Sequence, residues 1–378
     1  MLKGIDLQLY IGPLVPIPAP REVIEALNEL TVTTNDVGES GFQMSFTIST
    51  RSPLHTLFLL SGGSSIKILR VVIVVIQNGT PQVLMDGVVT KHEIVPGNDA
   101  QHAKLNITGT DISVLMDMID FSGFPFPAMP AEGRVALMLL KYAALGVFPL
   151  VIPSVLIDVV IPTSRIPAQK GTDLAYIREL AYKVGYVFYM NPGPMPGQSI
   201  AYWGPKIKVG NPQPALNINM DAHTNVESLQ FSFDNNLNAI PTIFYQEEKT
   251  KVIIPIPIPP ITPLNPPLGL IPPLPNRLES VSKDDDLSKF SLPQSIMIGL
   301  AKASNLADAV TGTGELNVLR YGRILKARQL VGVRGAGFAY DGLYYVNSVT
   351  HKIKRGEYKQ SFKLSRNGLV STVPQVVA

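Results

Sequence analysis

The sequence predicts a mainly β fold with α+β insertions, and three segments carry that prediction. Residues 42–48 alternate apolar and polar side chains, which is the period of a half-buried strand. Residues 66–76 are almost all β-branched or aliphatic, as in a strand that is buried on both faces. Asn78-Gly79 then supplies a strong hairpin turn. Many short strands separated by turn residues are typical of a closed barrel or a sandwich.

Changes in composition divide the 378 residues into three segments. A single domain usually has about 100–200 residues, so more than one domain is expected. We predict a strand-rich domain over residues 1–118, a mixed α/β domain over 119–205 and a second strand-rich domain over 206–378. The last domain carries a proline-rich insertion at about 253–275.

The first two segments contain the clearest helix signals. A short helix is expected to open at Pro20, because proline is well tolerated at the start of a helix. Residues 134–145 form a second helix that Gly146 ends, and Thr172 is the N-cap of a third. The remaining predicted strands of these segments are residues 83–90, 103–108 and 186–190.

The third segment begins with an alternating strand over residues 226–233 and then changes character. Residues 255–275 contain ten prolines. Proline cannot donate to a β-ladder, so we predict an extended polyproline-type loop rather than a central strand. An apolar loop is unfavourable in water. It therefore lies on the protein's own surface or docks on a neighbour, and the possible partner contacts are Ile256, Pro259, Pro260, Leu264 and Leu268.

The end of the chain alternates turns and strands. A helix is predicted over residues 293–311, and Gly312-Thr313-Gly314 would end it. Asp341-Gly342 forms a turn before a long strand over 343–353. A second turn at Gly356 leads to a returning strand over 358–364 with clean alternation.

Composition excludes several classes of function. Hydrophobic residues make up 46% of the chain and charged residues 16%, so the chain is not disordered throughout. The net charge of +3, without a run of Lys or Arg, does not favour nucleic-acid recognition. Such low charge is better explained by apolar surface that other chains cover. Prolines and charges interrupt residues 1–20 and 135–161, so neither a signal peptide nor a membrane span is expected.

Motifs of catalysis and metal binding are missing from the sequence. Cysteine is absent, and the five histidines are dispersed. No nucleophile elbow, phosphate loop or paired-histidine zinc motif occurs. The acidic run at 284–286 is typical of a helix start. We therefore predict no catalytic, cofactor-binding or metal-ligating residues and no enzyme activity.

The last segment resembles the end of the phage late-control D family. These proteins are baseplate hubs of contractile phage tails and contractile injection systems, and they are related to the hub half of type VI secretion spike proteins. Residues 169–186 and 86–111 are similar to further parts of the family, so the resemblance spans most of the chain. The motif residues that carry it are Asp341, Gly342, Tyr344, Val346, Val349, His351, Tyr358, Phe362 and Leu364.

The resemblance implies a structural protein with two tube-like antiparallel β-barrel domains and a mixed α/β domain. It implies a homotrimer that joins a six-fold inner tube protein to a three-fold spike, with other baseplate subunits as partners. The chain ends soon after the second predicted barrel, so we expect a separate spike protein. The expected location is the bacterial cytoplasm during assembly and then the assembled phage tail or injection particle. The proline-rich insertion departs from the family pattern.

Two other functional classes stay open at this point. One is a β-rich carbohydrate-binding or hydrolytic protein, which would need grouped carboxylates or exposed aromatic side chains. The other is an envelope-associated channel component, which the apolar residues 135–161 would favour. A weak repeat of 89–92 at 349–351 predicts that the hairpins 83–90/103–108 and 343–353/358–364 occupy equivalent positions in two similar barrels around one channel.

Overall fold

The computed structural model describes most of the chain. The described residues are 4–13, 15–48, 68–96, 103–154, 166–234, 239–246, 252–258, 266–271, 277–280, 292–306 and 308–373. The acidic run at 284–286 lies outside them. Among the described helices, none is long and apolar enough to cross a membrane.

The first segment is built of strands around one short helix, as the sequence predicts. Helix α1 (Arg21–Ala26) starts after Pro20. Asn78 and Gly79 both have positive φ, which joins two strands in a tight hairpin. The strands are β1 (Ile5–Gly12), β2 (Ile17–Pro18), β3 (Leu27–Asn35), β4 (Gly41–Ile48), β5 (Arg70–Gln77), β6 (Thr80–Pro96) and β7 (Ala103–Asp111).

The middle segment packs two helices beside a small sheet. Gly146, with φ of 79°, ends the first helical stretch, and the Thr172 side chain accepts a hydrogen bond from the Ala175 amide at the start of the second. Both features follow the sequence prediction. The elements are α2 (Ala131–Leu140), β8 (Val147–Val151), α3 (Asp173–Lys183), β9 (Val187–Pro192) and β10 (Ser199–Gly204), and β10 lies between β8 and β9.

The third segment is again mainly β. Its helices are α4 (Leu292–Leu306) and the short α5 (Val318–Tyr321). The strands of the large sheet here are β11 (Gln213–Asn217), β12 (Val226–Phe233), β17 (Val310–Asn317), β18 (Leu330–Arg334), β19 (Gly342–Lys354) and β20 (Glu357–Arg366). Shorter strands are β13 (Ala239–Gln246), β14 (Ile253–Pro257), β15 (Gly269–Ile271), β16 (Arg277–Ser280) and β21 (Leu369–Ser371). The mainly β fold class with α+β insertions is confirmed.

Two local predictions in the third segment were wrong. The predicted polyproline loop contains a strand, β14, at the edge of the small sheet β14-β13-β16. Pro255 and Pro257 lie two residues apart in this edge strand, and an edge strand is where a sheet tolerates proline. Gly312 and Gly314 lie inside β17 and do not end a helix. A Cβ at Gly314 would lie 2.6 Å from the Phe362 ring, so tertiary packing selects glycine there.

The large sheet contains the same six-strand arrangement twice. Unit 1 has the order β3-β4-β7-β6-β5-β1, and unit 2 has the order β12-β17-β20-β19-β18-β11. The strands follow one another along the chain in the same sequence in both units. Only the last pair differs, since β1 runs antiparallel to β5 whereas β11 runs parallel to β18. The two hairpins that the sequence predicts to be equivalent, β6–β7 and β19–β20, therefore occupy equivalent places in the strand order.

Bulges fix the register of the repeat. β6 has one extra residue at Thr90 opposite β7, and β19 has one at Asn347 opposite β20. When the two units are aligned on these bulges, a second pair of bulges also coincides. These are the extra residues Asn28 of β3, opposite β4, and Glu227 of β12, opposite β17. The repeat seen in the sequence matches Val89-Thr90 with Val349-Thr350. The bulge alignment differs from that match by three residues, because Thr90 lies at its bulge whereas Thr350 lies three residues after the bulge at Asn347.

One apolar core runs through both units, and a second lies in the middle segment. The first core includes Leu30, Met44 and Ile107 of unit 1 together with Val349 and Phe362 of unit 2. In the middle segment, Phe188 and Met190 of the predicted strand at 186–190 are buried with Trp203. Closure of the units into two tube-like barrels stays a prediction.

Candidate assembly site: paired and open strand edges

The family-motif residues form the interior of unit 2. All of them except Asp341 are buried, and Asp341 is half-buried. They therefore support the fold and do not present a contact surface in the single chain. Asp341 lies directly before β19, and the others lie in β19 (Gly342, Tyr344, Val346, Val349, His351) and β20 (Tyr358, Phe362, Leu364).

A buried arginine explains the turn chemistry of Asp341-Gly342. The Arg366 guanidinium lies over the Tyr344 ring at 4.5 Å and donates to the carbonyls of Asp341 and Ala339 at 2.8 and 2.7 Å. Gly342 has φ of 131°, and a Cβ there would lie 2.7 Å from the Ser371 Cβ atom and 2.9 Å from the Arg366 Nη1 atom. This position needs glycine because of its positive φ and because Ser371 and Arg366 approach the backbone so closely.

His351 is a neutral core histidine. Its Nδ1 lies 2.7 Å from the Tyr358 hydroxyl and 3.3 Å from the Gln360 Nε2 atom. The Gln360 amide also accepts from the Leu325 N–H and donates to the Leu325 carbonyl. Burial lowers the His351 pKa to about 3. The ring is therefore uncharged at neutral pH.

Within the chain, β3 of unit 1 and the second half of β19 of unit 2 form an antiparallel joint. Thr33 lies opposite Thr350, and their hydroxyls are 3.1 Å apart. On the other face Val32 lies opposite His351, and both are buried. Lys354 and Glu29 form an ion pair of 3.3 Å at the end of the joint. This intrachain joint shows how two units of this fold connect edge to edge.

The equivalent edges at the outer sides of the two units are open among the described residues. β12, the counterpart of β3, pairs only with β17 there. Residues 90–96 of β6, the counterpart of the second half of β19, pair only with β7. These residues are exposed, including Ile94 at 42% and Val95 at 44%. Sequence reasoning missed this edge because it ended the strand at Thr90, although His92 to Val95 continue it.

Arg328 holds the three parts of the molecule together. Its guanidinium donates to the backbone carbonyl of Asn35 in unit 1 at 2.9 Å and to that of Met190 in the middle segment at 3.1 Å. It also bonds to the Asn191 side chain and lies 3.8 Å above the Tyr189 ring. Burial lowers the Arg328 pKa. No sequence signal marks this residue, because its partners are far away along the chain.

A second buried link joins unit 1 to the middle segment. Arg70 and Asp86 form a double hydrogen bond of 2.7 and 2.6 Å, and both are buried. The Ser199 hydroxyl donates to Asp86 at 3.0 Å, and Arg70 donates to the Gly197 carbonyl at 3.0 Å. Bidentate pairing of this kind fixes geometry as well as contributing energy.

The predicted partner contacts of the proline-rich stretch fall in different places. Leu268 is buried against Leu330 and Tyr345, and its amide donates to the Asn367 side chain at 2.7 Å. The Leu268 side chain is therefore already covered within the single chain, and its contact with a partner stays a prediction. Ile256 is half-buried against the cluster of Ile298. Pro259, Pro260 and Leu264 lie outside the described residues, and their partner contact stays a prediction.

One groove among the described residues bears on the hydrolytic alternative. A groove of about 930 Å³ lies between β1, α1 and the tip of the β19–β20 hairpin. Its carboxylates are Asp6 and Glu25, and Glu25 is paired with Arg21 at 2.9 Å. Within the described part of the chain, no three His, Asp or Glu side chains lie together as metal ligands would.

Solved structures with the same fold come from phage tails and from type VI secretion. A tail protein of Neisseria meningitidis aligns over 97% of this chain and 98% of its own, with TM-score 0.63 and 13% identity. A 43 kDa tail protein of a Shewanella oneidensis prophage aligns over 96% and 98%, with TM-score 0.58 and 12% identity. An E. coli component of the type VI secretion system aligns over 93% and 77%, with TM-score 0.51 and 8% identity.

The chain has the fold of these tail proteins. At the level of the fold, this confirms the resemblance to phage tail and type VI secretion proteins that the sequence indicates. No family model and no curated protein matches the sequence.

Proposed function

We propose that this protein is a structural baseplate hub of a contractile phage tail or contractile injection system. In this proposal three copies form a ring that joins a six-fold inner tube to a three-fold spike. The observation that carries it is the repeated strand order of unit 1 and unit 2. The shared fold with tail proteins and with a type VI secretion component supports the same role.

The repeat matters because of symmetry. A closed ring needs the same contact at each junction, and a six-fold partner needs six similar surfaces. Two similar units in each chain supply six surfaces from three copies, whereas the ring of three chains has only three-fold symmetry. One protein of this kind can therefore meet six-fold symmetry on one side and three-fold symmetry on the other.

The proposed partners follow from that position. They are a second and third copy of this chain, an inner tube protein, a separate spike protein and other baseplate subunits. The proposed role is non-catalytic. Assembly in the bacterial cytoplasm and later residence in the tail or injection particle complete the proposal.

The test is the mass and the symmetry of the purified full-length protein. We expect native mass spectrometry to give three times the monomer mass, and electron-microscopy projections to show a ring with six similar lobes. A stable monomer at micromolar concentration would refute the proposal, as would a ring whose number of chains is not three.

A further inference from the structure

We infer that the chains of the ring join through one defined strand pair, in which β12 of one copy runs antiparallel to residues 91–96 of β6 of the next. Glu93 then lies opposite Ser232, and Ile94 lies opposite Phe231. This inference rests on the proposed function for the presence of more than one copy. It goes beyond that function by naming the two edges and their register.

The intrachain joint provides the template. There, β3 of unit 1 meets the second half of β19 of unit 2, with Thr33 opposite Thr350. The bulge alignment places Ser232 at the position of Thr33 and Glu93 at the position of Thr350. The bulges in β6 and β19 and the bulges in β3 and β12 give the same alignment, although the two sets lie three strands apart in each unit. Two independent features therefore support this register. The same contact made between copies runs head to tail, which can close into a ring.

The side chains at the open edges fit this joint. On the core face of the intrachain joint, Val32 and Leu30 are fully buried. Their counterparts Phe231 and Leu229 are only partly buried, and both pack against the main core. Opposite them the register places Ile94 and Pro96, which are exposed in the single chain. Pairing the edges would cover these apolar side chains and satisfy the edge backbone groups, which an exposed edge strand otherwise leaves to water.

The native sequence contains no cysteine, so disulfide trapping reports the register directly. Directly opposite residues of an antiparallel pair have Cβ atoms close enough for cross-linking. We expect Glu93→Cys/Ser232→Cys, after oxidation, to shift the band on a non-reducing gel from the monomer to three times its mass. A mixture of the two single variants should give a linked dimer. Reducing agent should reverse both shifts.

Two controls match this variant. Thr33→Cys/Thr350→Cys places the same pair at the intrachain joint and should form its disulfide without any change in mass. Glu93→Cys/Phe231→Cys moves one cysteine to the neighbouring residue, whose side chain points to the other face. It should lose most of the cross-linking, and equal cross-linking in the two double variants would overturn the register.

A surface variant provides a second readout. Ile94→Lys should reduce the trimer fraction in native mass spectrometry, because the lysine charge would enter the apolar face of the joint. Val37 is also exposed, at 57%, and is not part of the joint. Val37→Lys should leave the trimer unchanged, and an Ile94→Lys trimer as stable as that of Val37→Lys would overturn the inference.

The outcomes separate this inference from the proposed function. A native trimer without the Glu93–Ser232 cross-link, under conditions that oxidise the Thr33/Thr350 control, refutes the joint and leaves the hub proposal standing. Cross-linked ladders longer than three chains support the joint and refute the closed trimer. A protein that stays monomeric and does not cross-link refutes both.

Discussion

Acidification should destabilise the fold through the buried histidine of β19. His351 is 5% exposed and has a pKa of about 3, against 6.5 for a free histidine. As the pH falls below 6.5, the unfolded chain takes up the proton first. Stability that is present at neutral pH is therefore lost between about pH 6.5 and about pH 3.

The size of the loss follows from this window. One proton changes the free energy of unfolding by about 1.4 kcal/mol for each pH unit inside the window. With the two pKa values above, moving from pH 7 to pH 5 costs about 2 kcal/mol. Carboxylates also contribute to the pH dependence, so the His351 part is the difference between the wild type and a variant without this imidazole.

The assay is urea unfolding followed by circular dichroism at fixed protein concentration, at pH 7 and pH 5. We compare the wild type with His351→Gln, and we use His223→Gln, at an exposed histidine outside the proposed joint, as the matched control. The His351→Gln protein is less stable at pH 7 but loses about 2 kcal/mol less than the wild type on acidification. Equal losses in the wild type and His351→Gln would refute the reasoning, as would a reduced loss in His223→Gln.

Four further outcomes are expected. Arg328→Lys should lower the free energy of unfolding by about 3 kcal/mol, since lysine cannot reach the carbonyls of both Asn35 and Met190, and a change under about 0.5 kcal/mol in urea titration would contradict this. Gly109→Ala should cost at least about 1–3 kcal/mol, because its Cβ would lie 2.3 Å from the Phe42 ring, and an unchanged thermal midpoint would count against that packing. Leu268→Ala should cost about 2–4 kcal/mol by leaving a cavity beside Tyr345, whereas a partner-contact role alone would leave the unfolding of the isolated chain unaltered. The purified protein should hydrolyse neither peptidoglycan nor nucleoside triphosphates, and turnover that disappears when a single Asp or Glu is changed would show that it is an enzyme.

Local signals predicted local structure well. The Asn78-Gly79 turn, the Thr172 cap and the alternating strand at residues 42–48 each depend on chemistry within a few residues, and each is found as expected. Sequence rules that consider only neighbouring residues failed where contacts with residues far along the chain determine the local structure. Gly312 and Gly314 read as the end of a helix, yet the rings of Phe231 and Phe362 need the space beside them in a strand. Pro255 is tolerated in a strand because β14 lies at the edge of its sheet.

The sequence by itself determined the mainly β class, most strand and turn positions, and a resemblance to hub proteins, because these follow from residue periodicity, turn chemistry and motif order. Only the tertiary structure decided which strands pair, and with them the repeat of two six-strand units. It also placed Arg328 at the meeting point of three segments and left β12 and residues 90–96 as open edges among the described strands. Strand pairing brings together residues such as Thr33 and Thr350, which are far apart along the chain. Such a contact depends on how the side chains and backbone groups of two complete strand edges fit each other, and neighbouring residues in the sequence do not show this.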